Sequence, residues 1–372
     1  MAVSKVDAAN QIENQLPQAN IANNVNFRNI VINGDMSIAQ RGTSKASVGF
    51  EYATVDRFQT VQGSLGAFTQ SQSTDVPSGE GFSKSLKMDC TTADASPASG
   101  DELYIRQRFE GQNLQHLLKG TSSAKKLTLS FLVKSNKTGT YIAELFDDDN
   151  SRHINKSYTI SSADTWEKKI ITYDGDTTGT LDNDSNASLN LNFMLGAGSN
   201  FTSGTLQTSW GTSTSANRQV GQVNLADSTS NEWYITGIQL EAGEVASDFE
   251  FLPRGTALQQ CQRYYEKSNN EGLSPGDTNA DGYFIANFAR NASNQNYFTI
   301  YYKVNKVYEP TVTIYSNSTG TSGKYRNNSD SADQNASVAR SGDTGFAFRP
   351  SANTGVNNGD FFSFHWEANS EL

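Results

Sequence analysis

Tyr234-Ile-Thr-Gly-Ile-Gln-Leu-Glu-Ala-Gly243, followed after a short exit by Pro253-Arg-Gly-Thr-Ala-Leu-Gln-Gln-Cys-Gln-Arg-Tyr-Tyr265, decides how this chain divides. The first ten residues predict a strand closed by a glycine turn. The second stretch predicts a helix from Thr256 to about Lys267. Leu258, Cys261 and Tyr265 fall at i, i+3 and i+7, with Ala257 and Tyr264 beside them. Thr256 is placed to cap it after the Pro253–Gly255 break. A strand that ends and a helix that begins mark one β-domain closing and another opening.

Upstream, period-2 patterns recur. Arg28 to Asp35 predicts a short strand ending in the Asn33-Gly34 turn. Tyr104-Ile-Arg-Gln-Arg-Phe109 puts Ile105, Gln107 and Phe109 on one face, with Arg106 and Arg108 on the other. Leu127-Thr-Leu-Ser-Phe-Leu-Val-Lys134 and Leu189-Asn-Leu-Asn-Phe-Met-Leu195 alternate in the same way, with Asn190 and Asn192 outward. Such alternation is what a sheet with one buried face requires. Trp166 to Tyr173 and Trp233 to Leu240 predict two more strands. Downstream, Gly282 to Phe288, Tyr297 to Lys303, Thr311 to Tyr315, Gly345 to Phe348 and Phe361 to Glu367 are short and aromatic-rich. The expected fold class is all-β: a sandwich over 27–255, then a short linking helix and a second small β-sandwich over 256–372. Residues 1–26 are polar and lack periodicity, which predicts an arm rather than a core.

Composition sets the limits. Of 372 residues 35% are hydrophobic, 18% charged and 10% aromatic, and the formal charge is −10. Turn-forming Gly, Asn, Asp and Ser fill the rest, as an all-β chain with many hairpins needs. An acidic balance argues against nucleic-acid partners, whose phosphates call for a basic surface. No apolar run approaches the roughly 20 residues of a membrane span, so no membrane insertion is expected. The first residues lack the apolar core of a signal peptide, which predicts a protein made in a cytoplasm. Cys90 and Cys261 are far apart and predict two buried, reduced thiols.

Candidate chemistry is sparse. His116, His153 and His365 are dispersed and predict structural roles. Glu144-Leu-Phe-Asp-Asp-Asp-Asn150 reads as a solvated hairpin tip, with Ca²⁺ coordination as the functional alternative. No GxSxG elbow and no Walker-type glycine loop occurs, and no carboxylate pair stands out, so no enzymatic activity is expected. Aromatics remain. A saccharide site needs exposed rings together with polar side chains. Trp210, in the long polar stretch 196–226, is the leading candidate, with Phe201, Tyr141 and Tyr158 as its companions. The competing role for Trp210 is to anchor that loop by packing. Trp166, Trp233 and Trp366 lie within strand patterns and are expected in the core.

Asn29-Ile-Val-Ile-Asn-Gly-Asp-Met-Ser-Ile-Ala-Gln-Arg-Gly42, Val55-Asp-Arg-Phe58, Ile105-Arg-Gln-Arg-Phe-Glu110, Thr165-Trp166, Asp174-Gly-Asp-Thr-Thr-Gly179, Asp248-Phe-Glu250 and Cys261-Gln-Arg-Tyr-Tyr265 form an ordered motif set. Together with the strands above, it resembles a family of bacteriophage tail-fibre and other virion proteins. The first half also resembles carbohydrate-binding modules of jelly-roll fold. The resemblance implies a tail fibre or tail-associated adhesin located on the virion and assembled in the host cytoplasm. It implies homotrimers, attachment to other tail or head proteins through residues 1–26, and recognition of a host-surface glycan. A head or tail decoration or a fibre adaptor without glycan binding is the alternative. Modules of this type hold a structural Ca²⁺. Here Thr236 and Gly237 stand where acids would be expected, so no cofactor is expected, and Asp35, Asp248 and Glu250 are the residues that could still supply oxygens to a structural Ca²⁺.

Overall fold

The computed structural model describes residues 27–279, 281–288, 297–350 and 357–372, so the predicted arm at 1–26 lies outside the described residues. In chain order the first unit contains β1 (Ser44–Lys45), β2 (Glu51–Tyr52), β3 (Gln59–Gly63), β4 (Ala67–Ser73), β5 (Ser85–Thr92) and β6 (Glu102–Glu110). It continues with β7 (Leu127–Ser135), β8 (Gly139–Asp147), β9 (Arg152–Ile160), β10 (Glu167–Tyr173), β11 (Ala187–Ala197), β12 (Gly211–Thr212) and β13 (Glu232–Ala242). One sheet runs β1-β4-β5-β13-β7-β10, and the other runs β12-β9-β8-β11-β6-β3-β2. The strands pair antiparallel, and the chain repeatedly crosses between the two sheets, which makes a jelly-roll sandwich.

The core is where the period-2 pattern places it. Leu129, Phe131 and Val133 of β7 face Leu191, Phe193 and Leu195 of β11, all essentially solvent-free. Phe131 meets Tyr158 and Phe193 edge-on at 5.0 and 5.2 Å, the geometry that ring quadrupoles favour. Trp233 is fully buried beside Phe193.

Residues 28–35 do not form the expected strand. They dock as an irregular segment on β13, with the Ile30 amide donating to the Leu240 carbonyl at 2.8 Å. The Asn29 side chain bridges β13 through Ile238 O at 3.1 Å and the Leu240 amide at 3.1 Å. The reason is a bulge in β13 between Thr236 and Gln239, which turns the Ile238 amide toward Gly34 O. Gly237 holds that bulge at φ +63°, and a Cβ there would lie 2.7 Å from the Phe82 ring. Gly237→Ala is therefore expected to cost about 1–3 kcal/mol in a urea melt. An unchanged midpoint would show that the bulge tolerates a side chain.

The junction helix, α2, runs Arg254–Gln262 (α1 is the single turn Ser199–Thr202). It begins earlier than Thr256 and has no side-chain cap. It ends earlier than Lys267 because β14 (Tyr265–Lys267) is captured as a strand. Of the predicted stripe, Cys261 packs on Ile38 together with Ala257, Leu258 is only partly buried against them, and Tyr265 falls in β14.

The second unit adds β15 (Phe284–Asn287), β16 (Phe298–Tyr301), β17 (Thr311–Tyr315), β18 (Lys324–Asn327), β19 (Ala332–Ala339), β20 (Gly345–Pro350) and β21 (Phe361–Asn369). β21 is its hub and pairs with β14, β15, β17 and β18. Tyr325, Phe346, Phe348, Phe362, Phe364 and Trp366 fill its core. No described strand of one unit pairs with a strand of the other.

Side chains do most of the joining, alongside a main-chain bond from the Gly272 amide to Ala39 O at 3.3 Å. Arg57 is fully buried and ion-pairs with Glu371, while Arg41 reaches the same carboxylate at 3.2 Å. The two guanidiniums stack on Tyr264 and Tyr265 at 3.4 and 3.6 Å. Arg263 makes two 2.7 Å hydrogen bonds to Glu110 at the end of β6. The Cys261-Gln-Arg-Tyr-Tyr265 motif is thus the hardware of the joint.

Candidate functional site

The side chains of the seven-stranded sheet that point away from the core build a strip that is polar in its middle and apolar at one end, where Tyr104 and Met194 cluster with Val61, Ile142 and Leu206. On β6 these are Tyr104, Arg106 and Arg108; on β11 they are Asn190, Asn192 and Met194. Register sets Asn190 opposite Arg108, Asn192 opposite Arg106 and Met194 opposite Tyr104. Across the next pair, Phe146 of β8 stands opposite Asn190, and Glu144 opposite Asn192. Gln59 of β3 accepts from Arg106 Nε and Nη2 at 3.1 and 2.6 Å.

The stretch after β11 covers one end of the strip. Arg218 forks onto Glu144 with hydrogen bonds of 2.8 and 2.6 Å. His153 Nδ1 lies 2.9 Å from the same carboxylate, and Asn192 Nδ2 donates to it at 2.7 Å. The loop is stitched down by the Val223 amide to Thr140 O and by the Asn155 amide to Gln207 O. Burial alone would raise the Glu144 carboxyl, but Arg218 and His153 outweigh it and hold it down to about 2.

The other end of the strip is more open. Phe50, 64% exposed, sits with its ring 5.5 Å from the Arg106 guanidinium carbon. Asn190 Nδ2 donates to Asp148 at 2.9 Å. Several buried atoms along the strip have no hydrogen-bond partner among the described residues: Arg108 Nε, Asn190 Oδ1 and Asn192 Oδ1. Unpaired polar atoms also occur in the core, at Trp233 Nε1 and Tyr158 OH, so what sets this face apart is the exposed Phe50 ring beside Arg106, a buried cation with no ion-pair partner among the described residues.

The residues named from sequence do not converge here. Tyr141 and Tyr158 stack on each other inside the core, with ring centroids 5.7 Å apart, and offer no face to a ligand. Their parity on β8 and β9 is that of Leu145 and Ile154, their core-facing neighbours. Trp210 packs on the sandwich edge beside β12, donates to Asp174 O at 2.7 Å and carries the Lys119 ammonium 5.1 Å from its ring. It is the anchor of the loop. Phe201 lies on α1, where its carbonyl accepts from the Gln219 amide.

Of the three candidate Ca²⁺ donors, Asp35 and Glu250 line one small cavity with Asn29 and Asn33, and Asp248 does not join them. Both oxygens of Glu250 are taken by the amides of Phe27 and Asn29, at 2.6 and 3.0 Å. Asp35 closes its own turn onto Ser37, and Asp248 contributes its main-chain oxygen to Arg28. Among the described residues no group of three or more His, Cys, Asp or Glu could hold a metal ion, so these three residues do not fit the expected site. The acidic cluster divides: Asp148 and Asp149 form the hairpin tip, whereas Glu144 and Asp147 are buried in ion pairs with Arg218 and Lys119. Trp233 and Trp366 are core, but Trp166 lies on the outer side of the six-stranded sheet, donating to Asp75 at 3.0 Å.

The fold and the strip define an antiparallel jelly-roll sandwich with a polar outer face, joined to a second β-unit. No protein-family model and no curated protein matches the chain. Solved structures do. A bacteriophage CBA120 tailspike protein 4 enzymatically active domain is similar at 13% identity and a TM-score of 0.31, over 58% of this chain and 21% of that one. A putative sugar binding protein from Bacteroides thetaiotaomicron is similar at 12% identity and a TM-score of 0.34, over 57% of this chain and 99% of that one. A family 11 carbohydrate-binding module from Clostridium thermocellum, solved with a mixed-linked tetrasaccharide, is similar at 15% identity and a TM-score of 0.28, over 55% and 99%.

Proposed function

We propose that the chain is a saccharide-binding adhesin carried on a phage virion as a tail fibre or tail-associated protein. The observation that carries saccharide binding is the strip itself. The exposed ring of Phe50 lies against the Arg106 guanidinium, and Arg108 and Asn190 come next along the same face. Sugars present hydroxyl edges and apolar C–H faces, and this arrangement matches both. The virion placement is supported by the motif set from Asn29 to Tyr265, with residues 1–26 as the attaching arm. Trimers would gain avidity by offering three strips. Tyr301, Ile285 and Phe361 of the second unit, each more than 40% exposed, supply apolar surface for such contacts.

The test is a glycan array probed with the full chain, followed by affinities for the best hits. Phe50→Ala is expected to weaken binding roughly two- to tenfold, the worth of one aromatic contact. Trp210→Ala is expected to leave the affinity of folded protein unchanged. Absence of binding to any glycan or host cell would overturn the saccharide reading and favour a decoration or adaptor. The function includes no catalysis, so release of reducing ends from host polysaccharide would contradict it.

A further inference from the structure

We infer that the open end of the strip takes a saccharide bearing an anionic substituent, a uronate carboxylate or a sulfate, held by Arg106 and Arg108. The inference rests on the saccharide-binding function proposed above and narrows its ligand class. Arg106 and Arg108 stand two residues apart on β6 and so share one face. Arg106 is 92% buried, since only 8% of its surface is exposed. Neither guanidinium has a carboxylate within 4.0 Å among the described residues. Arg106 has only the neutral Gln59 carbonyl oxygen, and Arg108 Nε has no partner.

That is unusual for this chain, whose net charge is −10. Arg57, Arg152, Arg218 and Arg263 are each matched with an acid. Two adjacent, partly desolvated cations repel each other, and burying charge without a counter-ion is costly. Burial pulls Arg106 below its ordinary value, and the Arg108 charge adds to the pull. Asp148 feels both guanidinium charges but is hydrogen-bonded by Asn190 and lies beyond ion-pair distance of either arginine.

The remaining groups say what surrounds the charge. Asn190 points its amide nitrogen at Asp148, which fixes its orientation beside Arg108, while Asn192 is held on Glu144 under the covered end. Two cations beside an exposed aromatic ring suit a sugar that is anionic at one point and presents an apolar face next to it. A planar guanidinium fork matches a carboxylate, and Phe50 flanks it with an apolar face. A neutral sugar would use Phe50 but leave the two arginines with Asp148 as a counter-charge beyond ion-pair distance.

The experiment measures full-chain affinity for three probes: an oligogalacturonate, its carboxyl-reduced neutral counterpart, and a sulfated galactan oligomer. Variants are Arg108→Gln and Phe50→Ala, each checked for an unchanged melting temperature. At least one anionic probe is expected to bind tenfold or more tighter than the neutral one. Arg108→Gln should erase that preference, whereas Phe50→Ala should weaken charged and neutral probes alike. A preference for carboxylate over sulfate, or the reverse, identifies the source of the charge. Equal affinity for neutral and anionic probes, or an anionic preference that survives Arg108→Gln, overturns the inference while leaving saccharide binding standing. Failure of every probe here, together with an empty glycan array, overturns both.

Discussion

Glu371→Ala is expected to lower unfolding free energy by about 3–5 kcal/mol, the cost of stranding a buried charge by deleting its partner. Glu371 is the acceptor for two guanidiniums, and its side chain is only 4% exposed. Without it Arg57 keeps the Arg108 carbonyl and the Tyr264 ring but has no counter-charge. Arg41 retains only the more distant Asp56, at 4.0 Å. Because no described strand of one unit pairs with a strand of the other, the loss should also uncouple them, and a single urea transition should split into two. Arg57→Met combined with Glu371→Leu should recover most of the loss, since an apolar pair has no charge to strand. A single mutant that melts like the parent would show that the units are held elsewhere.

The second large effect is at the covered end of the strip. The Glu144 carboxyl is held down to about 2, against an ordinary 4.5. A group depressed in the folded state stabilises fully above its unfolded value and loses that contribution as pH falls. The window therefore runs from about pH 4.5 down to about 2, and the contribution is on the order of 3 kcal/mol. Comparing urea unfolding of the parent and Glu144→Gln across pH 2–7 isolates it, and the variant should lose less stability on acidification. Arg218→Ala is expected to cost about 3–5 kcal/mol at pH 7, because it leaves Glu144 buried without its main cation. Burial would then dominate and push that carboxyl up, so this variant should lose less stability than the parent on mild acidification, or even gain. Parallel acid limbs in all three proteins would remove Glu144 as the titrating group.

Much of the sandwich could be read from residues because its central strands obey period 2 without interruption. Leu189, Leu191, Phe193 and Leu195 are inward, and Asn190 and Asn192 outward, as the alternation says. β4 was hidden by polar residues on the inner side. Gln70 is fully buried, accepting from Thr54 and donating to Thr60 at 2.8 Å, so its core position looks like a solvent position in sequence. The outward arginines and asparagines of the strip were visible singly. What sequence could not supply was that β6 and β11 are neighbours, which turns four scattered side chains into one surface. The aromatic candidates misled for the opposite reason: a tyrosine suited to stacking on a sugar is equally suited to a core when its hydroxyl finds a carbonyl. Tyr141 does so with Lys137 O at 2.8 Å.

The position of β13 also governs how the molecule comes into being. It is inserted between β5 and β7, strands made more than ninety residues earlier, roughly 5–20 seconds at ordinary rates of translation. Throughout that interval the nascent six-stranded sheet is two fragments with facing open edges, and the segment at Asn29 has nothing to dock on. Closure is a single late, long-range event, so folding should be slow for the chain's size and exposed edges vulnerable to pairing with neighbouring chains. On a polysome the neighbours are copies of the same protein at high local concentration. Selection against that hazard offers a reason for the charged Lys87, Lys134 and Glu232 along the seam where the late strand enters.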